Sequence, residues 1–145
     1  MTDQPTVNDA IHLAACAGAT AARARIAELR RADPTWTVHC GDSADPMTDG
    51  NQIGVLYDLC GGAVIVIDDA RSAAFRRFRH AATITASAYA PRWDLARDDN
   101  RGRYLLSLYG MTRRPEVSVN RAAMQAALDA LAEHGIVGHV ETYID

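Results

Sequence analysis

Apolar residues at Val7, Ile11, Ala15, Gly18, Ala22, Ile26 and Leu29 recur at spacings of three and four, which puts them on one stripe of a helix. Thr6-Val7-Asn8-Asp9 has the form of a capping box, with Asp in place of the usual Glu. Pro34 stops that helix, because the residue before a proline is driven out of the α region. Trp36, Val38 and Cys40 then alternate with Thr37 and His39, the period-two pattern of a strand. Beyond a loop over 41–52 rich in Gly, Asp, Ser and Pro, residues 53–60 and 63–67 are apolar almost throughout. They predict two strands at the buried centre of a sheet. Gly61-Gly62 between them predicts a tight hairpin, since two-residue turns need positive φ.

Asp68 or Asp69 stands where it caps a helix over 70–80, with Phe75, Phe78 and Ala82 on the inner face and Arg76, Arg77 and His80 outside. Alternating β-branched residues over 83–89 predict a strand. Residues 91–102 read as a second polar loop, and 103–111 as a strand hairpinned to the one before. A helix follows over about 119–134, with Ser118 as its cap, Met124, Ala127, Leu128 and Leu131 inside, and Gly135 as its stop. Residues 136–144 form the last strand. The order α-β-β-β-α-β-β-α-β predicts a single α+β domain over 1–145, a two-layer fold with a mixed, largely antiparallel sheet of about six strands and helices packed on it. The closing β-α-β would be a right-handed crossover if its strands are parallel neighbours, and it admits a ferredoxin-like half.

Composition narrows the class. Of 145 residues, 48% are hydrophobic and 23% charged, a globular rather than a disordered balance. No stretch approaches the ~20 apolar residues of a membrane helix. The segment before the apolar run at 11–24 carries Asp3 and Asp9 and no basic residue, unlike a secretory signal. A cytoplasmic protein with no membrane partner is the expectation. Cys16, Cys40 and Cys60 are odd in number and include no CxxC pair, so they read as small buried apolar side chains rather than a disulfide or zinc framework. All 15 basic residues are arginine, which excludes chemistry that needs a P-loop, Schiff-base or kinase-type lysine.

Charge is segregated beneath a net of −3. Residues 1–69 hold four arginines against ten acids, 70–121 eleven against four, and 122–145 none against four. Either the segments pair on folding, or Arg76, Arg77, Arg79, Arg113 and Arg114 build a basic face for nucleic acid. The acidic total weighs against nucleic acid, and Phe75 and Phe78 fall on the apolar helix face rather than forming a stacking platform. Trp93, with Arg92, Arg97 and Arg101 in the second loop, has the composition of an interface anchor. Asp42, Asp45 and Asp49 form an acidic loop whose spacing is not that of a calcium hand but suits a basic partner.

Two constellations carry candidate chemistry. Asp68-Asp69 at a strand end either caps the next helix or holds Mg²⁺, with a third carboxylate from Asp42, Asp45, Asp58 or Glu141. His139 and Glu141 share a face of the last strand and read as an acid–base pair or two ligands. His39 and Cys40 point to opposite faces, and His12 and His134 lack a ligand-spaced partner. No G-x-S-x-G, H-E-x-x-H or G-x-G-x-x-G occurs. The leading expectation is therefore a non-enzymatic protein-binding module, of inhibitor, immunity, adaptor or assembly-subunit type. It needs no cofactor or metal, and its partner is another protein, a basic one or a second copy. The alternatives are a metal-dependent phosphoryl-transfer or hydrolytic enzyme using Asp68, Asp69, His139 and Glu141, and nucleic-acid binding through the arginine segment.

Overall fold

A computed structural model of the chain describes residues 7–32, 34, 36–39, 52–84, 92–109 and 116–144. Helix α1 (Val7–Leu29) buries Ile11, Ala15, Gly18, Ala22 and Leu29 of the stripe that its spacing predicts, half-buries Ile26, and adds Ala10 and Ala14. Strands β1 (Trp36–His39) and β2 (Gln52–Leu56) pair antiparallel as a separate two-stranded sheet. Then follow β3 (Gly61–Ile67), α2 (Ala73–Ile84), β4 (Arg92–Asp98), β5 (Arg103–Tyr109), α3 (Val117–Ala132) and β6 (Gly138–Ile144). The main sheet has the order β4-β5-β3-β6, and every pairing in it is antiparallel. The fold is α+β, with one four-stranded antiparallel sheet and three helices.

This corrects the expected sheet in several ways. The strands do not join in one six-stranded, mixed sheet, and β2 is not at its centre. The strand expected over 83–89 is replaced at 83–84 by the end of α2, and 85–89 lie outside the described residues. The fourth strand instead comes from the stretch read as a polar loop, where Trp93 and Leu95 alternate with Asp94 and Ala96. Helix α2 starts at Ala73, and its cap is Ser72, whose Oγ accepts the Phe75 N–H at 3.1 Å. Strand β5 lies between β4 and β3, and β3 lies between β5 and β6. Both β3-α2-β4 and β5-α3-β6 are thus split β-α-β units with parallel strands that are not neighbours. The ferredoxin-like arrangement extends over all six elements rather than a half.

Gly61 and Gly62 do not form a hairpin turn. They open β3, opposite Ile144 and Tyr143 of β6, and positive φ among the described residues occurs only at Gly102 (63°) and Gly135 (81°). What Gly61 and Gly62 provide is clearance. A Cβ at Gly61 would collide with the Tyr143 carbonyl, and one at Gly62 with the Tyr143 phenol ring. Two adjacent glycines thus signal close strand approach as well as turns.

Alternation along β3 separates two faces. Ile65 and Ile67 join Phe75, Phe78, Leu106, Met124 and Leu131 in the core beneath the helices. Phe75 and Phe78 are each 1% exposed. Phe75 meets Tyr104 at 5.3 Å between centroids, and Phe78 meets Trp93 edge-on at 5.8 Å. Helix α1 lies mainly against α3, where Ala22 and Leu29 pack with Val119 and Ala123. Small side chains there let the two helices lie close.

Gly61→Ala has to push β6 away from β3, so its cost falls toward the upper end of the ~1–3 kcal/mol of overpacking. A Cβ at Gly102 meets nothing, so Gly102→Ala carries only the positive-φ strain, about 1 kcal/mol. Urea denaturation of both variants checks this order.

Candidate functional site

The sheet face opposite the helices is built from the other half of each alternation. Register places Ala96, Leu105, Val66 and His139 in one row across β4, β5, β3 and β6. Asp98 faces Arg103 in the row on one side, and Val64 faces Glu141 in the row on the other. Asp68 follows β3 at the end where Arg103 begins β5.

Five charged side chains on this face form a continuous chain. Asp68 Oδ1 lies 2.7 Å from His139 Nδ1, and His139 Nε2 lies 3.2 Å from Glu141 Oε1. Arg103 grips Glu141 with both terminal nitrogens, at 2.7 and 3.2 Å, and donates from Nε to Asp98 Oδ2 at 3.1 Å. Arg103 stands on β5 and Glu141 on β6, so their bridge crosses over β3 at the level of Val66. That explains how Val66, on a helix-free face, is only 3% exposed.

Each ring nitrogen of His139 faces a carboxylate oxygen, and an ionised carboxylate only accepts. This arrangement favours the ring with a proton on each nitrogen. The bond to Glu141, then the one to Asp68, raises the His139 pKa above the ordinary histidine value, against a smaller desolvation effect. Arg103, then His139, holds Glu141 below the usual carboxylate range. Both ring nitrogens are engaged within the face.

The sequence-predicted residues divide sharply. Asp68, His139 and Glu141 come together on one face. Asp69 does not join them, because its Oδ1 accepts the Arg71 N–H at 3.3 Å in the turn before α2. Neither aspartate caps the helix. Among the described residues no group of three or more His, Cys, Asp or Glu side chains is arranged to hold a metal ion. Trp93 is not a loop anchor. Its strand turns it inward onto Phe78, and its Nε1 donates to the Ile11 carbonyl at 3.2 Å. Arg92 and Arg97 lie in β4, and Arg101 in the turn after it, where its N–H meets the Asp98 carbonyl. Arg97 lies 6.0 Å above the Tyr104 ring, and Arg79 donates to the Tyr104 hydroxyl at 2.8 Å. Arg76 and Arg77 are exposed on α2. Asp42, Asp45, Asp49, Arg113 and Arg114 lie outside the described residues. His12 has a neighbour after all, Cys16 Sγ at 3.6 Å, and Cys16 is exposed rather than buried.

Sequence reasoning missed Asp98 as a site residue and the joining role of Arg103. The available signal was the 99–102 turn ending in Gly102, which makes Asp98 and Arg103 cross-strand partners. It also placed the cap of α3 wrongly. The helix starts at Val117 with Glu116 as N-cap, and the Ser118 N–H is met at 3.2 Å by Asp58 Oδ2, 60 residues away in sequence. The Glu116 side chain is itself fully buried, with Oε1 at 3.4 Å from the Tyr57 N–H. Burial raises the Asp58 pKa, but hydrogen bonds from Ser118 and Leu59, with Arg25 nearby, outweigh it and hold Asp58 below the ordinary value.

No protein family matches the chain, and no curated protein or solved structure matches it. No helix among the described residues is long and apolar enough to cross a membrane.

Two titrations follow. His139 is expected to titrate above a free histidine by NMR, with Glu141→Gln lowering its pKa more than Asp68→Asn. A raised folded-state pKa gives stabilisation that is complete below the unfolded histidine value and lost as pH rises through the folded value. The pair is half-exposed, so the change in unfolding free energy is small. Asp58 behaves oppositely: its contribution holds above the unfolded carboxylate value and disappears as pH falls through the depressed one. Asp58→Ala is expected to cost about 0.5–2 kcal/mol at neutral pH, as for other lost caps, with the deficit vanishing in acid-pH denaturation curves.

Proposed function

We propose that the domain is a non-enzymatic protein-binding module that docks its partner on the helix-free face of the main sheet. The observation that carries this reading is that the charged groups of that face satisfy one another. His139 is held between Asp68 and Glu141, and Arg103 between that same Glu141 and Asp98, so the face presents a fixed pattern rather than a free base, nucleophile or metal seat. Around it stand the half-buried Val64 and Leu105 and the exposed Tyr143. An apolar centre beside an arginine and a polar rim is the composition of binding interfaces. Asp68, Asp94, Asp98 and Glu141 outnumber Arg103 and His139 there, which favours a partner presenting cationic and apolar side chains.

The test is affinity capture from the source cells with the native chain and with face variants, each checked for folding by circular dichroism. One stoichiometric partner is expected with the native chain, and Leu105→Asp or Val64→Arg should weaken it about tenfold or more, the ~1.4 kcal/mol or greater of an interface anchor. Arg76→Ala on α2 should leave it unchanged. Capture that survives both face variants but is lost with Arg76→Ala would move the docking surface to the helices and overturn this reading.

A further inference from the structure

Among the described residues β6 pairs only with β3, so its outer edge presents backbone N–H and C=O groups with no strand beside them. The opposite edge, β4, is lined with Asp94, Arg97 and Asp98, the kind of charge that discourages strand addition. The β6 edge is different. Val137, Tyr143 and Ile144 are 57%, 53% and 65% exposed, three of the five large apolar side chains that lie exposed among the described residues.

We infer that this edge pairs antiparallel with β6 of a second copy of the chain, about a two-fold axis at Val140. The sequence of β6 selects both the occupant and the register. An axis at Glu141 would oppose two carboxylates, and like charges directly opposite are destabilising; an axis at His139 would leave each Glu141 opposite the apolar Val137. An axis at Val140 opposes His139 of each copy to Glu141 of the other, twice by symmetry. The same register puts Val137 against Tyr143, with Val140 against its own copy. Charge complementarity and apolar contact thus agree in one register and conflict in the neighbouring ones. The interface is isologous and closed, as most homodimers are, and it merges two four-stranded sheets into one of eight. It shares His139, Glu141 and Tyr143 with the docking face above but engages them along the β6 edge, and its test reads self-association rather than partner capture.

Sedimentation equilibrium of the full chain is expected to show a dimer, and Tyr143→Lys and Val137→Lys should each raise its dissociation constant about tenfold or more. Register is read separately by mixing two chains, Val137→Cys and Tyr143→Cys, each with its native Cys16, Cys40 and Cys60 replaced by Ser, under mild oxidation. A disulfide-linked heterodimer should form in the mixture and not from either chain alone, because residues 137 and 143 meet only across the Val140 axis. A monomer at every accessible concentration would overturn the proposal and leave the face-docking reading standing. So would a dimer indifferent to both lysine variants, or cross-linking of either chain with itself in preference to the mixture. If a lysine variant fails to fold, the cysteine mixture still decides.

Discussion

The close approach of β6 to β3 is the constraint on which the rest of the molecule depends. It requires Gly61 and Gly62, since a side chain at either would occupy the space of the Tyr143 carbonyl or ring. With β6 seated, β3 becomes an inner strand with a partner on each side. Only then can α3, which links β5 to β6, lie across the sheet and close the core over Ile65 and Ile67. Asn120 reinforces this arrangement by donating at 2.8 Å from α3 to the Gly61 carbonyl.

The same seating creates the charged chain on the other face. Arg103 and Glu141 belong to strands that never touch, and their bridge exists because β3 between them carries nothing bulkier than Val66 at the crossing. The bridge shields that valine from water, and His139 and Asp68 extend the network along the sheet end. Burial and polarity are therefore coupled on this face: the ion pairs cover an apolar side chain, and its strand fixes their separation. Exposed ion pairs contribute little each, so the value of such a network lies more in holding side chains in one geometry than in free energy.

Helix starts show the same dependence on distant residues. Ser72 caps α2 from within its own segment, a local event. The Ser118 N–H at the start of α3 is met by Asp58, in the turn between β2 and β3, and the buried Glu116 carboxylate reaches back to the Tyr57 N–H. Two acids thus tie the turn before β3 to the helix that covers it.

Periodicity alone determined the stripe of α1, the inward Phe75 and Phe78, the inner face of α3, its stop at Gly135, and the shared face of His139 and Glu141. Each of these depends on neighbours within a few residues, whose geometry the backbone period dictates. Tertiary structure decided the remainder. Whether Gly61-Gly62 turns or pairs depends on what lies across from it. Whether 92–98 is loop or strand depends on β5, which supplies its hydrogen bonds and draws Trp93 inward. The assignment of Asp68 to a histidine 71 residues away, and of Arg103 to Glu141 across an intervening strand, follows from strand order. Strand order is a choice among long-range pairings on which local pattern carries no information.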